Sequence, residues 1–268
     1  VMTDAAFQFI RRHKEDDFLL HIHWTIPHAN NEGGRVLKDG MEVPDYGEYA
    51  RRDWPNPEKG FAAMISRMDA DVGRLFDLLE TLWIDDETLV IFTSDNGPHH
   101  EGNHDHEFFD SNGALTGYKR SMHEGGIRVP MIARWPGKVE AGTTSSLPSA
   151  FWDFLPTACD VAGVEPPKDI DGISYLPTLL GKSDQQRRHE YLYWASQEGA
   201  TSLGVRKENW KLVRYRKDKD GAPDWRLYDL DKDLSEEHDL ASDHPDRVRE
   251  MLGLLERDNL PFSPPPRR

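Results

Sequence analysis

The spacing of apolar residues changes several times along the chain, and each change predicts an element. Residues 4–14 carry apolar side chains at helical spacing. Residues 18–24 are mostly apolar, which predicts a strand buried on both faces, as in a parallel sheet. Residues 29–57 are rich in Asn, Gly, Pro and charge and read as a long surface excursion. Between 58 and 82, Phe61, Met64, Ile65, Met68, Val72, Leu75, Phe76, Leu79 and Leu82 recur every three or four positions, the clearest helical stripe in the chain. A β-branched and aromatic run at 88–93 predicts the next strand. Strand, helix and strand in that order form a βαβ unit with a right-handed crossover.

Residues 97–125 are a long polar loop, 129–135 a short strand closed by Pro136-Gly137, and 151–162 a helix that contains Cys159. Residues 163–190 are irregular, with one helical turn at 176–180. From about 190 short apolar runs take over at 191–195, 202–206, 210–215 and 225–229, separated by turns such as Asp220-Gly221. They predict a small antiparallel sheet. Trp210, Trp225 and Tyr228 are expected to pack it. A last helix, 245–257, starts at His244-Pro245 and puts Val248, Met251, Leu252 and Leu255 on one face. The tail at 261–268 is proline-rich and expected to be disordered. The expected division is an α/β region over 1–185, a small α+β subdomain over 186–260, and the tail.

Composition narrows the function. The 268 residues carry a net charge of −15, and no apolar run approaches a membrane span. So acidic a chain lacks the basic footprint of a nucleic-acid binder. It also disfavours long-range capture of polyanions, so any anion must be recognised locally. A single cysteine excludes an internal disulfide framework.

The strand at 88–93 runs into Ser94-Asp95-Asn96-Gly97-Pro98. Asp95 and Asn96 are hard oxygen donors at the carboxyl end of a strand, where α/β sheets place their ligands, and they suit Ca²⁺ or Mg²⁺ better than zinc. An Asx-turn that merely closes the strand is the alternative. The following loop, His99-His100-Glu101-Gly102-Asn103-His104-Asp105-His106, admits a zinc, copper or nickel reading, since imidazoles bind those ions. Its spacing matches no regular metal motif. It reads better as a substrate-binding loop that carries His100, His104 and Asp105. Asp229, Asp231 and Asp233 imitate the start of an EF-hand, but Leu234 and Leu240 stand where that loop needs Gly and Glu.

Ser94-Asp95-Asn96-Gly97, followed by Gly117-x-Lys119 and Glu124-Gly125-Gly126-x-Arg128-x-Pro130, resembles the type I, formylglycine-dependent sulfatases. Ile26-Pro27-His28 after an apolar run matches their proline-histidine segment. Arg226-Leu227-Tyr228-Asp229-Leu230, with Ser235-Glu236 and Leu240-Ala241, is similar to their C-terminal signature. The resemblance covers nearly the whole chain in order. It implies an alkaline-phosphatase-like α/β fold: a mixed, mostly parallel sheet flanked by helices, plus a small C-terminal antiparallel sheet with a helix.

The resemblance also implies roles. Asp95 and Asn96 hold part of a calcium site, and Lys119 neutralises a sulfuryl or leaving oxygen. His28 contacts the bridging oxygen as an acid, its ordinary pKa lying near neutrality. His123 stands where many relatives carry tyrosine and is assigned to substrate. Arg128 is expected to pair with Glu124 and brace the Lys119 loop.

The family's nucleophile, a cysteine or serine in Cys/Ser-x-Pro-x-Arg oxidised to formylglycine, reads as absent from this chain. So does the family's N-terminal aspartate pair. The chain is therefore expected to be the C-terminal portion of a longer protein, inactive alone and with apolar sheet edges uncovered. The implied partners are a sulfated small molecule or glycan and the N-terminal part of the same protein. The family implies a periplasmic, secreted or lysosomal setting. Two rivals stay open: a phosphodiesterase of the same superfamily, and a non-catalytic binder of sulfated glycans.

Overall fold

The computed structural model describes residues 1–196, 198, 201–215 and 224–260. The expected Asp220-Gly221 turn and the tail at 261–268 lie outside them. The chain divides into two compact units. One comprises Val1–Val90, His99–Ser111 and Trp135–Gly137; the other comprises Ile91–Pro98, Asn112–Arg134 and Lys138–Arg268.

The first unit is built around two helices, α1 (Met2–Arg12) and α3 (Asn56–Thr81). Both have the apolar stripe their sequences predict. Phe7 and Ile10 of α1 close against Leu75, Leu78 and Leu79 of α3 in one buried cluster. Burial of such side chains stabilises by about 1.5–3 kcal/mol each. The N-terminal half of α3 forms a second cluster, in which Phe61 and Met64 pack with Ala29 and Met41, flanked by Ile26, Val43 and Phe109. This second cluster positions the histidine-bearing loop at 99–111.

Two expectations for this unit are corrected. Residues 18–24 form no recorded strand, because a strand exists only through its ladder and no described residue pairs with them. They are not buried on both faces either: Phe18, Leu20 and Ile22 turn inward against the first cluster, while Leu19 is 63% exposed. The βαβ unit built on that strand falls with it. The excursion at 29–57 is also more ordered than its composition implies. It contains α2 (Asn31–Leu37), whose first turn is capped by the Asn30 side chain accepting from the Gly33 amide at 3.1 Å, and a 3₁₀ turn at Gly47–Tyr49.

The second unit holds a short sheet and a larger one. β1 (Val90–Thr93) pairs with β2 (Met131–Arg134), both in the predicted places. Between them lies the one-turn helix α4 (Glu124–Ile127). Then come α5 (Phe154–Ala162), ended by Gly163 in the left-handed region, and the single turn α6 (Leu176–Leu179). Four strands follow: β3 (Leu192–Ala195), β4 (Thr201–Lys207), β5 (Trp210–Tyr215) and β6 (Asp224–Asp229). They pair antiparallel in chain order, as the short runs separated by turns predict, and α7 (Pro245–Arg257) completes the unit.

This larger sheet has two different faces. Val205, Leu212 and Leu227 pack with Met251 and Leu255 of α7, with Trp210 and Trp225 at the margin. Val213 and Tyr228, one register position on, pack with Met122, beside Ile127 of α4 and Trp194. Strand alternation therefore assigns Lys211, Val213 and Tyr215 to the face that meets the segment around α4.

Candidate active site

In the second unit, β1 delivers Asp95 and Asn96 into a bend where the strand stops. Ser94 Oγ donates to the Asn96 carbonyl at 2.9 Å and fixes that bend. Asn96 Nδ2 donates to the Gly97 carbonyl at 3.0 Å, so its Oδ1 is the end suited to a cation. Asp95 is exposed.

The Lys119 loop is tied to this bend through backbone. The Gly97 amide donates to the Gly126 carbonyl at 3.0 Å, and the Lys119 amide to the Pro98 carbonyl at 2.8 Å. Only glycine tolerates this packing: a Cβ on Gly97 would lie 1.8 Å from the Gly125 carbonyl oxygen, and one on Gly125 would lie 2.2 Å from that of Gly117. Asp95, Asn96 and half-buried Lys119 thus belong to one continuous backbone assembly.

Beneath that loop lies a buried ionic network. Glu124 Oε1 accepts from Lys211 Nζ at 2.7 Å, and Glu236 Oε1 lies 3.1 Å from the same ammonium. Glu236 Oε2 accepts the Glu124 amide at 2.6 Å, and Glu236 Oε1 lies 3.2 Å from His123 Nδ1. His123 Nε2 contacts the Tyr215 hydroxyl at 2.5 Å. Arg206 and Arg128 stand 3.5 and 3.6 Å from Glu124 Oε2. Burial by itself pushes the Glu236 carboxyl up. The His123 hydrogen bond, the nearby Lys211 and His123 charges and the Glu124 amide outweigh it and hold the group below the usual carboxylate range.

Two readings change here. Arg128 does pair with Glu124, but half-exposed; the principal partner is fully buried Lys211, which sequence reasoning missed. The signal was present, since a Glu in a tight Glu-Gly-Gly turn needs a cation and a lysine sits among the apolar positions of β5. His123, expected at substrate, is instead enclosed between Glu236 and Tyr215, where it helps fix the loop.

In the first unit, His28 follows the cis Ile26-Pro27 bond. Its Nδ1–H donates to the Ala29 carbonyl at 2.8 Å, and Nε2 lies 3.7 Å from Glu101 Oε2. The ring is half exposed, so Nε2 is the nitrogen at which a proton can be exchanged. His99 Nε2–H donates to the Pro27 carbonyl at 2.9 Å and its Nδ1 accepts the Glu101 amide, so His99 fastens the loop to the His28 segment.

His104 departs from its expected role. Its side chain is fully buried, stacked on Phe61 with centroids 3.9 Å apart, and its Nδ1 lies 2.5 Å from Glu58 Oε2. It faces no surface that a sugar could reach. Burial pushes the imidazole down to about 4, against the pull of Asp105. Burial also raises Glu58, although the Asp105 amide at 3.0 Å opposes this. The contact is therefore a neutral imidazole donating Nδ1–H. Its Nε2, which has no hydrogen-bond partner among the described residues, keeps a lone pair rather than an unsatisfied N–H. His100 and Asp105 stay half exposed, 3.4 Å apart, and the Glu107 amide is the main influence holding the Asp105 carboxyl below its usual range.

The EF-hand imitation is structural. Asp229 binds Lys232 Nζ at 2.7 Å, and Asp233 accepts the Glu237 and His238 amides. The reading that the nucleophile motif is absent needs one correction: Ser263-Pro264-Pro265-Pro266-Arg267 satisfies Ser-x-Pro-x-Arg by letter. It lies in the tail outside the described residues, after rather than before the Asp-Asn-Gly segment.

Oxygen donors at a strand end, a lysine loop packed on glycine and a C-terminal antiparallel sheet are features of the alkaline-phosphatase-like fold. Comparison with known proteins narrows it. The sulfatase family model matches residues 1–164, and the model of the C-terminal region of N-sulphoglucosamine sulphohydrolase matches residues 105–256. The chain belongs to the sulfatase family.

It is 34% identical over 207 residues to an N-acetylglucosamine-6-O-sulfatase of Bacteroides thetaiotaomicron, covering 74% of this chain and 35% of that protein. To an N-acetylgalactosamine-6-O-sulfatase of the same organism it is 31% identical over 281 residues, covering 96% and 50%. A solved sulfatase from that organism, described under the metabolism of multiple glycosaminoglycans, superposes with a TM-score of 0.72 at 28% identity, covering 95% of this chain and 53% of that one. The chain thus spans half or less of the length of these curated relatives.

Proposed function

We propose that the whole protein hydrolyses sulfate monoesters on a carbohydrate. The observation that carries this reading is the backbone union of the Asp95-Asn96 bend with the Lys119 loop, the two motifs that resemble the sulfatases. The names of the relatives support a sulfated amino sugar as substrate.

Asp95 and Asn96 fit part of a calcium shell: one anionic and one neutral hard oxygen, adjacent in sequence, out of the six to eight that calcium takes. Calcium held there would supply charge neutralisation at the sulfuryl oxygens, and a formylglycine elsewhere in the whole protein would supply the attacking hydroxyl. The chain's own residues do the rest. The Lys119 ammonium offsets charge that builds on oxygen as the ester bond breaks, and a fixed cation of this kind is worth several kcal/mol where water is excluded. His28 Nε2 delivers a proton to the leaving alkoxide, with the ring held by its Nδ1–H bond to Ala29. The buried network under Glu124 keeps the Lys119 loop in place. The expected boundary near 185 belongs to the same proposal, since β3 to β6 and α7 all follow it.

The test is sulfate release from 6-O-sulfated N-acetylhexosamines by the whole protein. Asp95→Ala and Lys119→Ala are each expected to lower kcat/KM by about 10²–10³-fold. The 268 residues alone are expected to release none. Phosphate release from a diester without sulfate release would transfer the assignment to the phosphodiesterases. Glycan retention without any turnover would transfer it to the binders.

A further inference from the structure

We propose that His100, Asp105 and His106 form a binding site for a divalent transition ion of the zinc class, held by two imidazoles and one carboxylate with the fourth position open to solvent. Their ligand atoms all lie within 4.8 Å of one another. His100 Nδ1 and His106 Nδ1 lie 3.4 and 3.8 Å from the same oxygen, Asp105 Oδ1. Donors that share one tetrahedral ion at about 2.1 Å stand about 3.4 Å apart. The trio therefore needs only small side-chain adjustments to close on an ion.

The histidines of this loop are not equivalent. His99 uses both nitrogens, one on the Pro27 carbonyl and one on the Glu101 amide. His104 is sealed against Glu58 and Phe61. His100 and His106 are the two that face Asp105, and their rings meet edge to face at 88° rather than stacking.

The site is also built in advance. The Asp105 amide is anchored on Glu58 Oε1 at 3.0 Å, and Asp105 Oδ1 accepts the Glu107 amide at 3.0 Å. The His106 carbonyl takes the Ser111 amide at 3.0 Å, and the His106 side chain is 9% exposed. His100 and Asp105, at 55% and 50%, leave a path in from solvent. Two nitrogens and one oxygen suit zinc, nickel or copper and disfavour calcium, which prefers six or more oxygens. A three-ligand His/His/carboxylate set with an open position is a recurrent zinc arrangement.

The probe is Zn²⁺ alone, titrated calorimetrically into the metal-stripped whole protein in the presence of excess Ca²⁺. One saturable Zn²⁺ per chain is expected at this site, with at least about tenfold weaker binding in both His100→Gln and Asp105→Asn. A substitution at enclosed His106 risks the loop's fold, so the two exposed positions carry the decision, with thermal midpoints of the metal-free variants matched to wild type. Cobalt gives a second reading: a tetrahedral visible band that both variants lose. No saturable zinc binding, or zinc binding and a cobalt band unchanged in both variants, overturns the proposal.

Discussion

Each unit rests a site-bearing loop on a buried carboxylate, but the two carboxylates are stabilised in opposite ways. In the first, Glu58 supports the histidine loop through a neutral imidazole and a backbone amide, with no ammonium or guanidinium paired to it among the described residues; burial dominates and its carboxyl rises. In the second, Glu236 supports the Lys119 loop beside the Lys211 ammonium and His123, and its carboxyl falls. Desolvation penalises both; at Glu236 the His123 hydrogen bond, with the Lys211 charge behind it, reverses the sign. A loop that presents a lysine to an anion gains from a charged, directional brace. A loop of histidines keeps its imidazole neutral by packing it against a ring.

The largest expected effect breaks the charged side of this contrast. Lys211→Met leaves Glu124 and Glu236 buried without their ammonium and is expected to destabilise by about 3–5 kcal/mol, read from the denaturant midpoint. Glu236→Gln removes charge-assisted bonds but keeps the shape, for a loss of about 2 kcal/mol. Glu58→Gln is expected to cost about 1 kcal/mol, because the amide oxygen still accepts one of the two hydrogen bonds that Glu58 takes. Equal losses from the last two would erase the distinction. Arg67→Ala, which removes an exposed pair with Asp45, is expected to cost less than about 0.5 kcal/mol.

Acid sharpens the same contrast. His104 sits at about 4 in the folded protein against an ordinary value of 6.5. Between those values the unfolded chain binds the proton and the folded one refuses it, so stability falls as pH drops from 6.5 to 4. Glu58, raised, runs the other way, its contribution being lost as pH climbs above its ordinary value. Glu236, lowered, contributes above its ordinary value of 4.5 and loses that contribution as pH falls through its folded value. His104→Gln is expected to flatten the thermal midpoint between pH 6.5 and 4 and leave the steeper loss below 4.5. An unchanged slope in that variant would remove His104 from the account.

What the sequence made legible follows from how local each signal is. The stripe of α3, the face of α7 and the four short runs of the C-terminal sheet are short-range patterns, and the structure has all of them. Residues 18–24 were misread because a strand is defined by a partner that spacing cannot supply. Helix α2 was hidden because Gly33 and Gly34 dilute its propensity while Asn30 caps it. Asp95, Asn96 and Lys119 were visible as motif letters. Their supports were not: Lys211 lies 87 residues from Glu124, and Glu58 lies 46 from His104. His104 and His123 look like surface ligands in the sequence, and only tertiary packing encloses them.

The most direct measurement is a carboxyl ¹³C NMR titration of Glu58 and Glu236 in the whole protein. The account predicts that Glu236 stays ionised below the ordinary glutamate value while Glu58 takes up its proton above it. The reverse order, or two coincident titrations, would contradict it.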